Sequence, residues 1–195
     1  MHIVRAAAEQ AKAQKLQGSR CCSLDALTGL HNEKALRARG PELIERAMKR
    51  GIAGCVVMMD LNGLQAINDA LGEERGDKIL TSMAALLRNA VKVGDFVARI
   101  GSDEFVLILQ DLARADAGAL LSSLHTQISA LWPENAVFEC RGISAGVAWF
   151  PEEGHSLELL LVQADFRMHI DKRNKKTEEL LRREALEARE GKKTA

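Results

Sequence analysis

The chain has 195 residues, 47% hydrophobic and 4% aromatic with no tyrosine, and its 27 Lys and Arg balance 27 Asp and Glu to a net charge of zero. That length holds one domain with a real core plus extensions. The missing basic excess argues against a dedicated nucleic-acid binder, and the scarce aromatics argue against a stacking platform for single strands.

Residues 3–18, "IVRAAAEQAKAQKLQG", are rich in helix formers and end on Gly18. Their apolar stripe is mostly alanine, which suits a lead-in helix or coiled-coil stub. After the break at "SRCCS", Gly29 marks a turn and a helix is predicted from about Asn32 to Ala38. Pro41 then opens a second helix that stops at Gly51. "IAGCVVMMD" is an unbroken apolar run of strand length, as expected of a central strand covered on both faces. A turn and a short helix follow in "LNGLQAINDALG". A longer helix is predicted in "GDKILTSMAALLRNAVK", with apolar positions at 79, 80, 83, 86 and 87. "DFVARIGSDEFVLILQ" reads as two strands and a tight turn. An amphipathic helix over 111–132 is closed by Pro133, "AVFECRGISAGVAWFP" holds two more short strands, and a last helix starts at Ser156. The charged tail after Thr177 either extends that helix or frays.

This order contains a βαββαβ core and predicts an α+β, ferredoxin-like palm: one antiparallel sheet with helices on one face. The division expected is a lead-in helix over 1–22, one domain over 23–177 and a charged helical tail over 178–195. Cys21, Cys22, Cys55 and Cys140 form no zinc pattern and read as reduced thiols. No apolar segment approaches membrane-spanning length and no signal peptide is evident, so a soluble, cytoplasmic chain is expected, or a soluble piece of a larger one.

Three features bear on chemistry. Asp60 ends the buried strand, and Leu61-Asn62-Gly63-Leu64 leads into a helix whose N-terminal amides attract phosphate. An acidic group at that place makes sense if a divalent cation bridges it to the phosphate. Asp103 and Glu104 sit at a hairpin tip, and Lys172, late in the last helix, is a candidate phosphate clamp. Singly, each has an ordinary reading as a cap, a solvated turn or a surface charge.

Jointly they resemble a known family. "DALTGLHN" (25–32), "MDLNGLQAINDALGEERGDKIL" (59–80), "DFVARIGSDEFVLIL" (95–109) and "ISAGVAWFPEEGHSLELLLVQADFRMHIDK" (143–172) are similar, in order and spacing, to the GGDEF domains of diguanylate cyclases. Those enzymes join two GTP molecules into cyclic di-GMP. The resemblance implies that Asp60 and Asp103, helped by the Leu61 carbonyl, hold Mg²⁺ (or Mn²⁺), two ions per site. It makes Glu104 the catalytic acid position, able to bind metal or help deprotonate a ribose 3′-hydroxyl. Asn68 and Asp77 would read the guanine edge, and an aspartate there favours GTP over ATP. Gly63, Leu64, Gly101 and Ser102 would line the substrate, and Lys172 and Lys176 would hold phosphates. Two GTP-loaded domains must then meet as a homodimer.

Several positions depart from the family pattern. Ser102 stands where a second glycine is usual. Were the turn to need φ > 0 there, serine would cost roughly 1–2 kcal/mol, and its side chain would press on the nucleotide. Gln65 replaces a lysine, Gly63-Leu64 an aromatic pair, Glu73 a histidine, Lys176 an arginine and His169 a tyrosine. The product-inhibition position reads Lys92-Val93-Gly94-Asp95, and lysine cannot make arginine's bidentate grip. Weak or absent product inhibition follows. Three readings stay open: a cyclase, perhaps slow; a degenerate domain that binds GTP or cyclic di-GMP without turnover; and a structural or dimerisation domain.

Overall fold

The computed structural model describes residues 23–132 and 141–191, with side chains described to 185. The lead-in helix expected over 3–18 and the strand expected over 136–140 lie outside these residues.

The chain enters through a turn at Asp25–Leu30, where the Asp25 carboxylate accepts hydrogen bonds from the Thr28 amide (2.9 Å) and hydroxyl (2.6 Å). A two-residue strand β1 (His31–Asn32) follows, then helix α1 (Glu33–Lys49). Asn32 caps α1 by accepting from the Ala35 amide at 3.0 Å. The two helices expected on either side of Pro41 are one continuous helix with the proline inside it. An interior proline costs about 3 kcal/mol, while burying a leucine or isoleucine returns about 1.5–3 kcal/mol. Leu36 and Ile44, both buried, flank the proline and pin both halves to the sheet, so the helix runs through.

Next come β2 (Gly54–Leu61), α2 (Leu64–Leu71), α3 (Glu73–Ala90), β3 (Phe96–Arg99), β4 (Glu104–Gln110), α4 (Arg114–Ser129), β5 (Ile143–Phe150) and α5 (Leu157–Gly191). The sheet order is β1-β3-β4-β2-β5. Strand β2 is antiparallel to both β4 and β5, β3 is antiparallel to β4, and β1 lies parallel to β3 at the edge. The βαββαβ core is therefore the ferredoxin-like arrangement expected. The charged tail continues α5, which spans 35 residues.

Helices cover both faces of the sheet, not one. On one face Val57, Met59 and Leu61 pack with Ile67, Ile79, Met83, Leu87 and Leu124 from α2, α3 and α4. On the other, Val56 and Met58 pack with Leu36 and Ile44 of α1 and with Leu160, Ala164 and Met168 of α5. Every residue of β2 is buried, which only two covering layers can achieve. Cys55 sits inside this strand, and burial pushes its thiol up to about 12, so it is inert.

Alternation along β2 sets up the site. Val56, Met58 and Asp60 share the α5 face by the period of two. Along α5, Leu160, Ala164, Met168 and Lys172 recur every four residues on the face that meets the sheet. Gly146 of β5 allows this seating, because a Cβ there would lie 2.0 Å from the Ala164 carbonyl oxygen and 2.4 Å from the Met168 nitrogen. Asp60 and Lys172 thus arrive together at one end of the sheet.

Candidate active site

Three strand ends build this corner: Asp60 of β2 lies opposite Glu104 of β4 on one side and Ser144 of β5 on the other. Asp60 is only 5% exposed. Its Oδ2 accepts from Lys172 Nζ at 2.7 Å, while its Oδ1 is buried with no hydrogen-bond partner. A buried carboxylate oxygen without a donor is costly, and it marks the direction in which a cation would be welcomed.

Glu104 stands beside it. Burial pushes its carboxyl above the usual range, and the neighbouring charges of Asp103, Asp60 and Asp165 push the same way, against a smaller opposing effect of His169. A carboxyl raised in this way holds a proton more readily than an ordinary glutamate does.

The hairpin between β3 and β4 is four residues long, Ile100 to Asp103, closed by the Ile100 amide on the Glu104 carbonyl at 2.9 Å. Among the described residues Asp111 is the single non-glycine with positive φ, so Ser102 has an ordinary backbone. The strain expected of a two-residue turn does not arise, because the longer turn needs no left-handed residue. Ser102 is exposed, and its hydroxyl donates to Asp103 Oδ1 at 2.7 Å. Gly101 packs against the side chain of Glu104. The Asp103 carbonyl accepts from the Leu61 amide at 2.9 Å, which ties the hairpin to the end of β2.

Below this corner, α2 begins at Leu64 after Gly63 (φ 76°), with no side chain capping it. Its first amides remain free to meet an anion. Asn68 lies half-buried on α2, its Oδ1 unpartnered, and Asp77 is exposed on α3. Gly76 brings the two helices together: a Cβ there would lie 1.9 Å from Asn68 Oδ1. Lys176 is exposed one turn beyond Lys172 on α5. Lys92 and Asp95 lie apart from this corner, before β3. The Asp95 carboxylate accepts from the Lys92 amide (2.8 Å) and the Gln110 amide (2.9 Å), so it is committed to the turn.

Sequence reasoning gave no role to three residues here. Asn62 is buried, with its Oδ1 accepting from the Ser144 hydroxyl at 3.0 Å and its Nδ2 unpartnered. It follows Asp60 by two, so the strand's alternation could have found it. Arg99 pairs with Asp25 at 3.1 Å and donates to the Ser102 carbonyl at 2.7 Å, bracing the hairpin against the entry turn. Asp171 accepts from the Ala145 amide at 2.9 Å and from Lys175 at 2.6 Å, which fixes α5 to the start of β5.

Among the described residues no three His, Cys, Asp or Glu side chains converge as a metal cage. Two carboxylates, one with a buried unpartnered oxygen, suit Mg²⁺ all the same. That ion is usually held by one or two carboxylates with substrate phosphates completing the shell.

The model of the diguanylate cyclase GGDEF domain matches residues 22–178. The bifunctional diguanylate cyclase/cyclic di-GMP phosphodiesterase MucR of Pseudomonas aeruginosa is 34% identical over 145 residues, 74% of this chain and 21% of that protein. The response regulator PleD of Caulobacter vibrioides is 33% identical over 146 residues, 72% of this chain and 32% of that protein. The chain thus spans a third or less of the length of these two relatives. The solved GGDEF domain of Pseudomonas aeruginosa TpbB superposes with a TM-score of 0.66 at 30% identity, covering 77% of this chain and 89% of that one. The coiled coil and GGDEF domain of Caulobacter crescentus DgcB, solved with cyclic di-GMP, superposes at 0.71 with 23% identity over 88% and 94% of the two chains, a likeness of fold. Among the described residues no helix is long and apolar enough to cross a membrane. The family match over residues 22–178 and the likeness to these relatives agree, and the chain belongs to the GGDEF domain family of diguanylate cyclases.

Proposed function

We propose that this domain is a diguanylate cyclase that condenses two GTP into cyclic di-GMP and pyrophosphate. One observation carries the reading: Asp60, Glu104 and Lys172 meet at one end of the sheet beside the Asp103 hairpin, with a buried Asp60 oxygen left unpartnered. Relatives that are named diguanylate cyclases support it.

In this reading Asn68 and Asp77 receive the guanine, with Asp77 accepting from its ring N–H and 2-amino group. Adenine offers no such pair of donors. The free amides at the start of α2, Gly63 and Leu64 among them, receive phosphate oxygens together with Lys172 and Lys176. Asp60 and Asp103, with the Leu61 carbonyl, would hold two Mg²⁺ (or Mn²⁺), which neutralise charge on the attacking and leaving oxygens. Glu104 takes the proton from the 3′-hydroxyl of one GTP. The freed oxygen bonds to the α-phosphorus of the second GTP, and the bond from that phosphorus to pyrophosphate breaks; the same step in the facing half-site closes the ring and releases a second pyrophosphate. Each domain supplies half of the reaction, so turnover requires a homodimer, and the reaction belongs to a cytoplasmic chain.

Slow turnover is expected. Lys176 lacks the fork of an arginine, Gln65 carries no charge, and the Ser102 hydroxyl occupies one oxygen of Asp103. Product inhibition through Lys92 and Asp95 should be weak, since the Asp95 carboxylate already serves two backbone amides. The same Ser102 contact favours one alternative, a domain that binds GTP or cyclic di-GMP without turnover. Incubation with GTP and Mg²⁺ separates the two. Cyclic di-GMP and pyrophosphate that vanish in Asp103→Ala support the cyclase; tight GTP binding without product supports the alternative.

A further inference from the structure

The two oxygens of Asp60 are treated differently. Oδ2 receives the Lys172 ammonium at 2.7 Å, and Oδ1 is buried without a partner. A buried carboxylate with no counter-charge is strongly disfavoured, so the lysine is what makes Asp60 tolerable inside the fold. The grip is one-sided, however. The Asp60 side chain is 7% exposed while that of Lys172 is 43% exposed, at the end of a flexible four-carbon stem. The carboxylate is fixed and the ammonium can leave. Lys175 cannot substitute, because it is engaged by Asp171 and by the Ile143 carbonyl.

We propose that Lys172 is the exchangeable counter-cation of Asp60: it holds the carboxylate in the nucleotide-free protein and releases it when a triphosphate arrives to receive the ammonium. This rests on the cyclase reading, from which the triphosphate and the divalent cation are taken. The physical consequence is a penalty on the cation alone. A divalent ion at Asp60 must drive the ammonium into water or sit close to it, and like charges at such distances repel. When triphosphate oxygens are present, the ammonium has an anionic partner and the penalty disappears. Lys172 therefore makes metal and triphosphate bind as one unit and suppresses metal binding by itself. A lysine that served only as a phosphate clamp would leave binding of the metal alone unchanged.

The test is a titration of Mn²⁺ into the whole chain without nucleotide, with free Mn²⁺ read from its aqueous paramagnetic resonance signal. Lys172→Met is expected to bind Mn²⁺ on the order of tenfold more tightly than wild type, within the usual range of coupling between sites. Lys172→Arg keeps the charge and should stay with wild type. Adding Asp60→Asn to Lys172→Met should erase the gain. Lys172→Gln, which keeps a donor for Asp60 without charge, carries the same prediction should Lys172→Met unfold on melting analysis. Neutral variants that bind Mn²⁺ no more tightly than wild type would overturn the proposal. The outcome is separable from the cyclase reading: cyclic di-GMP formation with unchanged Mn²⁺ binding sinks the exchange alone, and tightened binding with no product sinks the cyclase alone.

Discussion

Gly76→Ala separates stability from nucleotide recognition. Gly76 is buried in α3, and its missing side chain is the space into which Asn68 projects, with a Cβ there only 1.9 Å from Asn68 Oδ1 and 3.1 Å from Leu64 Cδ1. Alanine gains about 1 kcal/mol over glycine inside a helix. Against that, Asn68 must leave its present rotamer, at a cost of about 0.5–1.5 kcal/mol. The obstructing atom is the end of a side chain, so the backbone need not move. The two effects nearly cancel, and the melting temperature should stay within about 4 °C of wild type. Recognition has no such compensation. Loss of one or two hydrogen bonds from Asn68 to guanine, each worth about 0.5–1.5 kcal/mol, lowers affinity by roughly tenfold. Calorimetric titration with a non-reacting GTP analogue and Mg²⁺, paired with thermal melting, reads both. Unchanged affinity would refute the assignment of Asn68, and a collapse in melting temperature would refute the claim that only a side chain yields.

Other outcomes follow from the same geometry. Ser102→Gly and Ser102→Ala should melt within about 2 °C of wild type, as an unstrained surface position does, and lower the half-saturating Mg²⁺ by about fivefold as one hydrogen bond leaves Asp103; equal Mg²⁺ dependence would make the serine a spectator. Cyclic di-GMP should bind the isolated chain only weakly through Lys92 and Asp95, and micromolar binding lost in Lys92→Ala would refute this. Glu153 accepts from Arg167 at 2.7 and 3.0 Å, which holds its carboxyl below the usual range. The depressed value means stability present above the unfolded pKa and lost as pH falls through the folded one. Acid unfolding of Glu153→Gln should therefore show a shallower loss below about pH 4 than wild type, and identical acid profiles would contradict it.

The central strand was legible because nothing but burial on two faces explains an unbroken apolar run at 55–59 ending on Asp60. The same burial already required helices on both sides, yet the strand–helix order alone does not say on which side each helix falls. Pro41 misled for a local reason: proline ordinarily starts or ends a helix, and here the packing of Leu36 and Ile44 outweighs it. Ser102 misled through turn length, since a four-residue hairpin tip removes the demand for positive φ. Asp60, Asp103, Glu104, Asn68 and Asp77 stood out in the sequence through the four segments that resemble the family. The contacts that assemble them did not: Lys172 and Asp60 lie 112 positions apart, and Arg99 and Asp25 lie 74 apart. The four-residue repeat from Leu160 to Lys172 fixes which helix face the lysine occupies, but the strand it meets is set by tertiary packing.

The most direct measurement is product formation from GTP and Mg²⁺ by the whole chain, followed by chromatography of the nucleotides. Cyclic di-GMP with stoichiometric pyrophosphate, absent in Asp103→Ala and in Asp60→Asn, is the predicted result. GTP bound without product, or product that persists in both variants, would contradict the assignment of this corner as a cyclase half-site.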